Sequence, residues 1–273
     1  MAVFGASVFV AGLSTPPLRA ALVPAIGRLI VATSLIAAAT AVFWLLLEGG
    51  EMGGEWSDAV DPGVLASVLA DTQFGQVWRA RLILALALVI VALWRPSAPL
   101  VAVLSGLFLA SLGLVGHAAM RVGELGAFER ANQAIHLLAG GFWLGALAPL
   151  VVCLRLLDDP IVKNDAALAL RRFSGLGHVA VAAVLATGIV NTFVILGHLP
   201  LDLSSPYQTS LAVKIAAVLI MVLLALYNRY RLVPRLALGP AAGLALSRNT
   251  TIEIGLGAIV LALVSAFATF EPV

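Results

Sequence analysis

Residues His136–Leu150 read HLLAGGFWLGALAPL, a stretch that contains one histidine and no charged side chain. The apolar run continues on both sides and covers about residues 130–156. Because a helix needs about 20 apolar residues to cross roughly 30 Å of hydrocarbon, this run predicts a membrane-spanning helix. Gly141 and Gly145 are four residues apart within it, and this spacing is typical of close helix–helix contact in membranes.

The whole chain has a composition that agrees with this stretch. Of its 273 residues, 62% are hydrophobic and 11% are charged, and the mean hydropathy is +1.07. A soluble domain of this size would carry about a quarter charged residues to solvate its surface. The composition therefore excludes a soluble enzyme, a nucleic-acid-binding module and a disordered scaffold. The single cysteine, Cys153, excludes a disulfide framework.

Seven segments are long and apolar enough to span a bilayer, at about residues 23–48, 76–95, 98–117, 130–156, 171–197, 208–230 and 250–269. An eighth apolar segment, Ala2–Leu13, comes first and is too short to span. The sequence predicts an all-α, polytopic transmembrane helix bundle of about eight spans, with a short or truncated first helix. We expect one domain over residues 1–273 and a short interfacial helix near Pro62–Asp71.

The distribution of Lys and Arg predicts the orientation of the bundle, because cytoplasmic loops are enriched in both. Eleven of the 16 Lys and Arg residues lie in or beside the loops that follow the first, third, fifth and seventh spans. The opposite side has the other five and one strongly acidic loop, between about residues 48 and 71. The basic loops are therefore predicted to be cytoplasmic, and both termini are predicted to be outside.

Two histidines are the first candidates for function, because ionisable side chains are costly inside a membrane. His117 ends the predicted fourth span, and His136 lies about six residues into the fifth, so both are near the outer side. The short connection predicts that these helices are antiparallel neighbours, which would place both imidazoles in one leaflet. Met120 would share a face with His117 if the helix continues. An imidazole and a thioether suit Cu(I), a soft ion, although hydrogen-bonded or interfacial histidines are the structural alternative.

Other polar residues have both a structural and a functional interpretation. His178 could extend a pathway inward or bond a carbonyl on a neighbouring helix, and His198 is expected to be a solvated interfacial residue. Asn191 could link helices or line a pathway. Lys214 can direct its ammonium group toward the interface.

Glu253 could act in proton transfer, but Thr250-Thr251-Ile252-Glu253 fits a capping box at the start of the last helix. We therefore expect a capping role. The sequence contains no phosphate-binding Walker loop, no CxxCH haem attachment and no HExxH motif. It predicts neither ATP-driven pumping nor zinc-dependent hydrolysis, and we expect that the protein is not an enzyme.

Several stretches resemble the CopD/PcoD family of bacterial copper-resistance and copper-homeostasis membrane proteins. These stretches are GHAA at Gly116–Ala119, HLLAGGFWLGALAPL at His136–Leu150, RRFSGLGHVAVAAVLATGIVN at Arg171–Asn191, SPYQTSLAVKIAAVL at Ser205–Leu219 and NRYRLVPRL at Asn228–Leu236. The resemblance covers about residues 98–270 and, more loosely, the earlier helices. It implies an eight-helix inner-membrane protein that binds or moves copper, generally in uptake from the periplasm, with His117 and His136 as the matching histidines.

Three hypotheses for function follow. The leading one is a copper permease of the bacterial inner membrane, with copper as its substrate or bound ligand and a periplasmic copper-binding chaperone as a candidate partner. A second is a b-type cytochrome, whose haem would need two facing histidines such as His117 and His136 or His136 and His178. A third is a copper-binding partner of such a chaperone that does not transport, which predicts copper binding without copper flux.

Overall fold

The computed structural model describes residues 1–94, 97–116, 121–200, 202, 204–238, 240–267 and 270, and these form helices and short connections without a strand. The helices in this described part are α1 (Ala2–Val8), α2 (Pro16–Gly53), α3 (Pro62–Asp71), α4 (Gln73–Trp94), α5 (Ala98–Ala110), α6 (Gly123–Arg155), α7 (Lys163–Leu196), α8 (Pro206–Tyr227) and α9 (Pro240–Phe267). π-Helical turns follow α1 at Phe9–Leu13 and α8 at Asn228–Leu232. The all-α prediction is confirmed.

Six of these helices are long and apolar enough to cross a membrane, namely α2, α4, α6, α7, α8 and α9. Two predicted spans form shorter apolar helices, Ala2–Leu13 and Ala98–Leu114. The sequence predicts that the second of these ends at about residue 117, but the helix ends at Leu114. It ends there because Val115 has extended backbone and Gly116 has a φ of +74°. The short helix predicted at Pro62–Asp71 is present, and the Asp61 carboxylate caps it by accepting from the N–H groups of its first turn.

The central helix of the bundle is α6, which contacts α1, α2, α5, α7 and α9. Helix α1 approaches α6 very closely, where Gly5 meets Gly141 and Gly145. A Cβ on Gly145 would lie 2.5 Å from the Met1 carbonyl oxygen, and a Cβ on Gly5 would lie 2.5 Å from the Gly141 carbonyl oxygen. Because backbone atoms cannot move aside as a flexible side chain can, this contact requires glycine. The close helix contact that the sequence predicts for these glycines is confirmed.

Helix α9 begins at Pro240, about ten residues before the predicted start, and this corrects the interpretation of Glu253. Thr250 and Glu253 lie well inside the helix, so the predicted capping box is wrong. The helix continues through this polar stretch because its side chains find partners within the protein. The Thr250 hydroxyl donates to the Leu246 carbonyl (2.8 Å), and the Glu253 carboxylate accepts from the side-chain amide of Asn228, the first residue of the π-helical turn after α8 (2.6 Å).

Candidate metal centre

A polar face joins α6 to α7 within this apolar bundle. Positions three, four and seven residues apart share one face of a helix, and α6 places four polar side chains at such positions. The face consists of Glu129, Asn132, Gln133 and His136 on α6, and Thr187 and Asn191 on α7. It is the main polar contact between these two spans, and it contains the candidate ligand His136.

The His136 imidazole is oriented by a hydrogen bond to α7. Its Nδ1 lies 2.9 Å from Thr187 Oγ1, and the Thr187 hydroxyl donates its own proton to the Ala183 carbonyl at 2.5 Å. Because the hydroxyl has one proton, we assign it to this shorter contact, so that the Thr187 oxygen accepts from Nδ1 and Nδ1 carries the imidazole proton. This tautomer leaves the lone pair on Nε2. Metal-binding histidines are commonly held in this way, by a hydrogen bond from the other ring nitrogen.

Hydrogen bonds of the side-chain amides of Asn132, Gln133 and Asn191 connect the same two helices one turn from His136. We call this set the amide ladder. Asn132 donates to the Thr187 carbonyl oxygen (3.1 Å) and to Asn191 Oδ1 (2.8 Å). Asn191 in turn donates to Gln133 Oε1 at 2.8 Å. Of the two interpretations of Asn191, the structure shows the one in which it links helices. The ladder sets the register between α6 and α7, and hence the position of Thr187 against His136.

Lys214 brings a third helix, α8, to this face. The side chain is half-buried and lies close enough to interact electrostatically with the His136 ring. Within the described ranges, the single ion pair joins Arg121 and Glu129, so Lys214 has no acidic partner there. Lys214 thus places an amine near the candidate ligand.

The N-terminal part of α6 holds an ion pair that the sequence did not single out. Glu129 is 5% exposed, and its carboxylate binds the Arg121 guanidinium at 2.7 Å. Arg130 donates to the Arg121 carbonyl oxygen at 3.0 Å. A sequence signal for Glu129 does exist, since it lies seven residues before His136 and therefore on the same face. Arg121 follows directly after the predicted ligand segment, and the pair attaches that point of the chain to α6.

Two of the three predicted ligands, His117 and Met120, lie outside the described residues. The chain on either side of them is attached to the N-terminal part of α6, within about two turns of His136. On one side Gly113 approaches the helix so closely that a Cβ would lie 3.0 Å from the Arg130 carbonyl oxygen, and on the other side Arg121 binds Glu129. The prediction that α5 and α6 are neighbours is confirmed. No three His, Cys, Asp or Glu side chains converge among the residues with described positions.

Arg81 of α4 supports the end of α5 near this region, a role that the sequence did not reveal. The side chain is 4% exposed, and its Nη1 donates to the Phe108 carbonyl oxygen (2.9 Å) and to Ser111 Oγ (2.6 Å). Its guanidinium also lies over the rings of Trp78 and Phe108, at 4.8 and 4.4 Å from their centroids. Positive charge at a helix C-terminus is favourable, so Arg81 stabilises the point where α5 ends.

The other two histidines are engaged elsewhere. His178 Nδ1 donates to the Ser174 carbonyl oxygen of its own helix (2.7 Å), and its Nε2 accepts from the Tyr230 hydroxyl (3.3 Å). The expected carbonyl bond is present, but within α7 and not to a neighbouring helix. His198 is exposed and bonds the adjacent Leu199 carbonyl oxygen at 2.7 Å, in agreement with its predicted interfacial position.

The fold and this polar face define a polytopic α-helical membrane protein with an oriented histidine between two of its spans. Comparison with known families gives a narrower assignment. The family described as copper resistance protein D-like, N-terminal domain, matches residues 1–127, and the family described as copper resistance protein D matches residues 167–267. The chain belongs to the copper resistance protein D family, and the resemblance noted in the sequence is confirmed.

Three curated relatives illustrate the relationship. The chain is 36% identical over 275 residues to inner membrane protein YebZ of Escherichia coli (strain K12), covering 100% of this chain and 94% of that protein. It is 27% identical over 260 residues to copper resistance protein D of Pseudomonas syringae pv. tomato, covering 89% of this chain and 83% of that protein. It is 32% identical over 190 residues to copper transport protein CutJ of Bacillus subtilis (strain 168), covering 63% and 33% respectively. No solved structure matches the chain.

Proposed function

We propose that this protein is a copper permease of the bacterial inner membrane that takes copper from the periplasmic side and passes it inward. His136, His117 and Met120 are its proposed ligands, and copper is the substrate. The observation that carries the proposal is the hydrogen bond between His136 Nδ1 and Thr187 Oγ1, because it engages one ring nitrogen and, in the tautomer we assign, leaves the Nε2 lone pair for a metal ion. Membership of a copper resistance family and similarity to a protein named for copper transport support copper as that metal.

The proposed ligand set suits the chemistry of a soft cation. Imidazole nitrogen and thioether sulfur both bind Cu(I) well, and an imidazole must be unprotonated to do so. A site at the outer end of α6 would receive copper from the periplasm, and a periplasmic copper-binding chaperone is the proposed donor. An ammonium group at Lys214 would repel a copper cation bound at His136 and so favour its release.

In the proposed topology the chain crosses the membrane eight times and has both termini in the periplasm. The six long helices each provide one crossing, and the two shorter apolar helices, α1 and α5 with their terminal turns, provide the other two. A helix shorter than the bilayer can be accommodated by local thinning of the lipid. The orientation is supported by the Lys and Arg asymmetry between the two sides.

Cysteine labelling should verify this orientation. Ser57 and Asn164 are both exposed and lie at opposite ends of the bundle in the proposed topology, and the native Cys153 is buried. An impermeant thiol reagent added to intact spheroplasts should label Ser57→Cys and leave Asn164→Cys unlabelled. Asn164→Cys should become reactive once the membrane is permeabilised, which is the control. Labelling of Asn164→Cys in intact spheroplasts would reverse the orientation.

His136 and His178 are not arranged as the two facing ligands that a b-type haem would need. Both nitrogens of His178 are hydrogen-bonded within the protein. Thr187, the partner of His136, is nine residues from His178 on α7, which corresponds to about 14 Å of helix rise. These two imidazoles therefore do not face one another across a single iron.

Metal analysis of the purified protein tests the proposal against this alternative. Protein reconstituted with Cu(I) should retain copper after removal of free metal, and its visible spectrum should lack a Soret band. The His136→Ala variant, prepared in parallel, should retain far less copper. A strong Soret band together with copper at the level of a protein-free control would contradict the proposed function.

A further inference from the structure

A second polar cluster lies deeper in the bundle, where α8 meets α9. Glu253 is 3% exposed, and its Oε1 accepts from Asn228 Nδ2 at 2.6 Å. Asn249 Nδ2 donates to Asn228 Oδ1 at 2.8 Å, and both asparagines are buried. A buried carboxyl group inside a membrane is costly and is a functional candidate by default. None of these three residues belongs to the proposed copper ligands.

The orientation of Asn228 decides which ligand this cluster suits. Its Oδ1 is used by Asn249, so it presents an N–H group, and not an oxygen, to Glu253. Alkali and alkaline-earth cations need several converging oxygen atoms, and this cluster directs a donor at the carboxyl group instead. Copper(I) prefers sulfur and nitrogen ligands. A carboxyl group faced by an amide donor is therefore suited to binding and releasing a proton.

The π-helical turn after α8 directs Arg229 away from Glu253. Asn228 begins this turn and faces α9, whereas the next residue, Arg229, donates to Ser174 Oγ on α7, and Tyr230 bonds His178 there. The other titratable groups on the elements packed against α9 near this level are Cys153, Arg155, Tyr227, Arg231, Arg235 and Arg248. None of them forms an ion pair with Glu253 or interacts electrostatically with it in the described part of the chain.

We propose that Glu253, held by Asn228 and Asn249, is a proton-binding site within the membrane, and that its proton moves in exchange for copper. The second half rests on the proposed copper transport. A copper cation that travels inward from His136 approaches Glu253, because α6 and α9 touch where Leu144 packs on Gly257, one turn from Glu253. By helix rise, Glu253 lies about 18 Å deeper than His136. In a medium of low dielectric constant, the approaching cation favours the ionised carboxylate, which releases its proton.

Infrared spectroscopy of the full chain in lipid bilayers tests the proton site independently of transport. The parent protein should show a protonated-carboxyl band that disappears as the pH is raised from about 5 to about 9, a range above the ordinary carboxyl values. Glu253→Gln should lack this band, and it should fold because the glutamine oxygen still accepts from Asn228. Glu51→Gln, at an exposed position, should keep the band. The proton site would be overturned if the parent protein showed no carboxyl band that titrates over this range, or if that band persisted in Glu253→Gln.

Proteoliposomes with an internal pH dye then test the exchange. Copper added outside should move protons in the parent and in Glu51→Gln, whereas Glu253→Gln should show proton movement no greater than protein-free liposomes. Parent-like proton movement in Glu253→Gln would overturn the exchange. If the parent itself moves no copper, the proposed transport and the exchange both fail, and the infrared titration still decides whether Glu253 binds a proton.

Discussion

His136→Ala should lower copper binding at least about tenfold, which corresponds to about 1.4 kcal/mol or more. The substitution removes the Nε2 lone pair that the Thr187 hydrogen bond makes available. The surrounding amide ladder of Asn132, Gln133 and Asn191 does not depend on the imidazole, so the helices should still pack. Equilibrium competition with a Cu(I) chelator of known affinity would measure the change. His117→Ala should have an effect of similar size, and Met120→Ala should weaken Cu(I) more than Cu(II).

Two variants make this test specific. Thr187→Val keeps the side-chain shape but removes the hydroxyl that orients His136, and loss of such a supporting partner lowers metal affinity about 10- to 100-fold. His198→Ala should leave copper affinity at the parent value, because His198 is exposed and bonds only a neighbouring carbonyl. Normal copper binding by both His136→Ala and His117→Ala would refute the assignment, and the outer acidic loop with Met52 would be the next candidate.

Gly145→Ala should destabilise the bundle by about 1–3 kcal/mol, the usual cost of overpacking. The new methyl group would meet the Met1 carbonyl oxygen and the Gly5 backbone, and α1 would have to move away from α6. Gly140→Ala on the same helix is the matched control, since its Cβ would find only a Val184 methyl group at 3.9 Å. That variant should be neutral or more stable by about 0.5–1 kcal/mol, because alanine favours the helix over glycine.

Unfolding of the two glycine variants in detergent micelles, followed by tryptophan fluorescence, would measure this difference. Trp143, which lies between the two positions on α6, is buried and should report the loss of packing. Equal stability of Gly145→Ala and Gly140→Ala would contradict the close contact between α1 and α6.

The sequence predicted the helical class and the order of the apolar segments, because a membrane requires long apolar helices whatever their packing. It located helix ends less well, since polar residues inside a helix resemble its end. Thr250 and Glu253 were interpreted as a cap, yet they continue α9 because Leu246 and Asn228 satisfy their hydrogen bonds. Conversely, the apolar helix Ala98–Leu114 ends early, where Val115 becomes extended, in a stretch that remains apolar.

The candidate site was predicted only in part. His136 could be identified because a histidine is conspicuous in an apolar segment, and its location near the outer side stays a prediction. Its partner Thr187 is 51 residues away, and no local pattern gives the register between α6 and α7 that brings them together. Glu129 was overlooked because an acidic residue near a helix end is ordinarily solvated, whereas here it is buried against Arg121.

Copper uptake into proteoliposomes, measured on the parent and on His136→Ala at equal protein content, tests the central claim most directly. We expect the parent to accumulate copper faster than protein-free liposomes, and His136→Ala to lose most of that uptake while reconstituting equally well. Copper binding by the parent without any copper flux would contradict a permease and would support the copper-binding partner that does not transport.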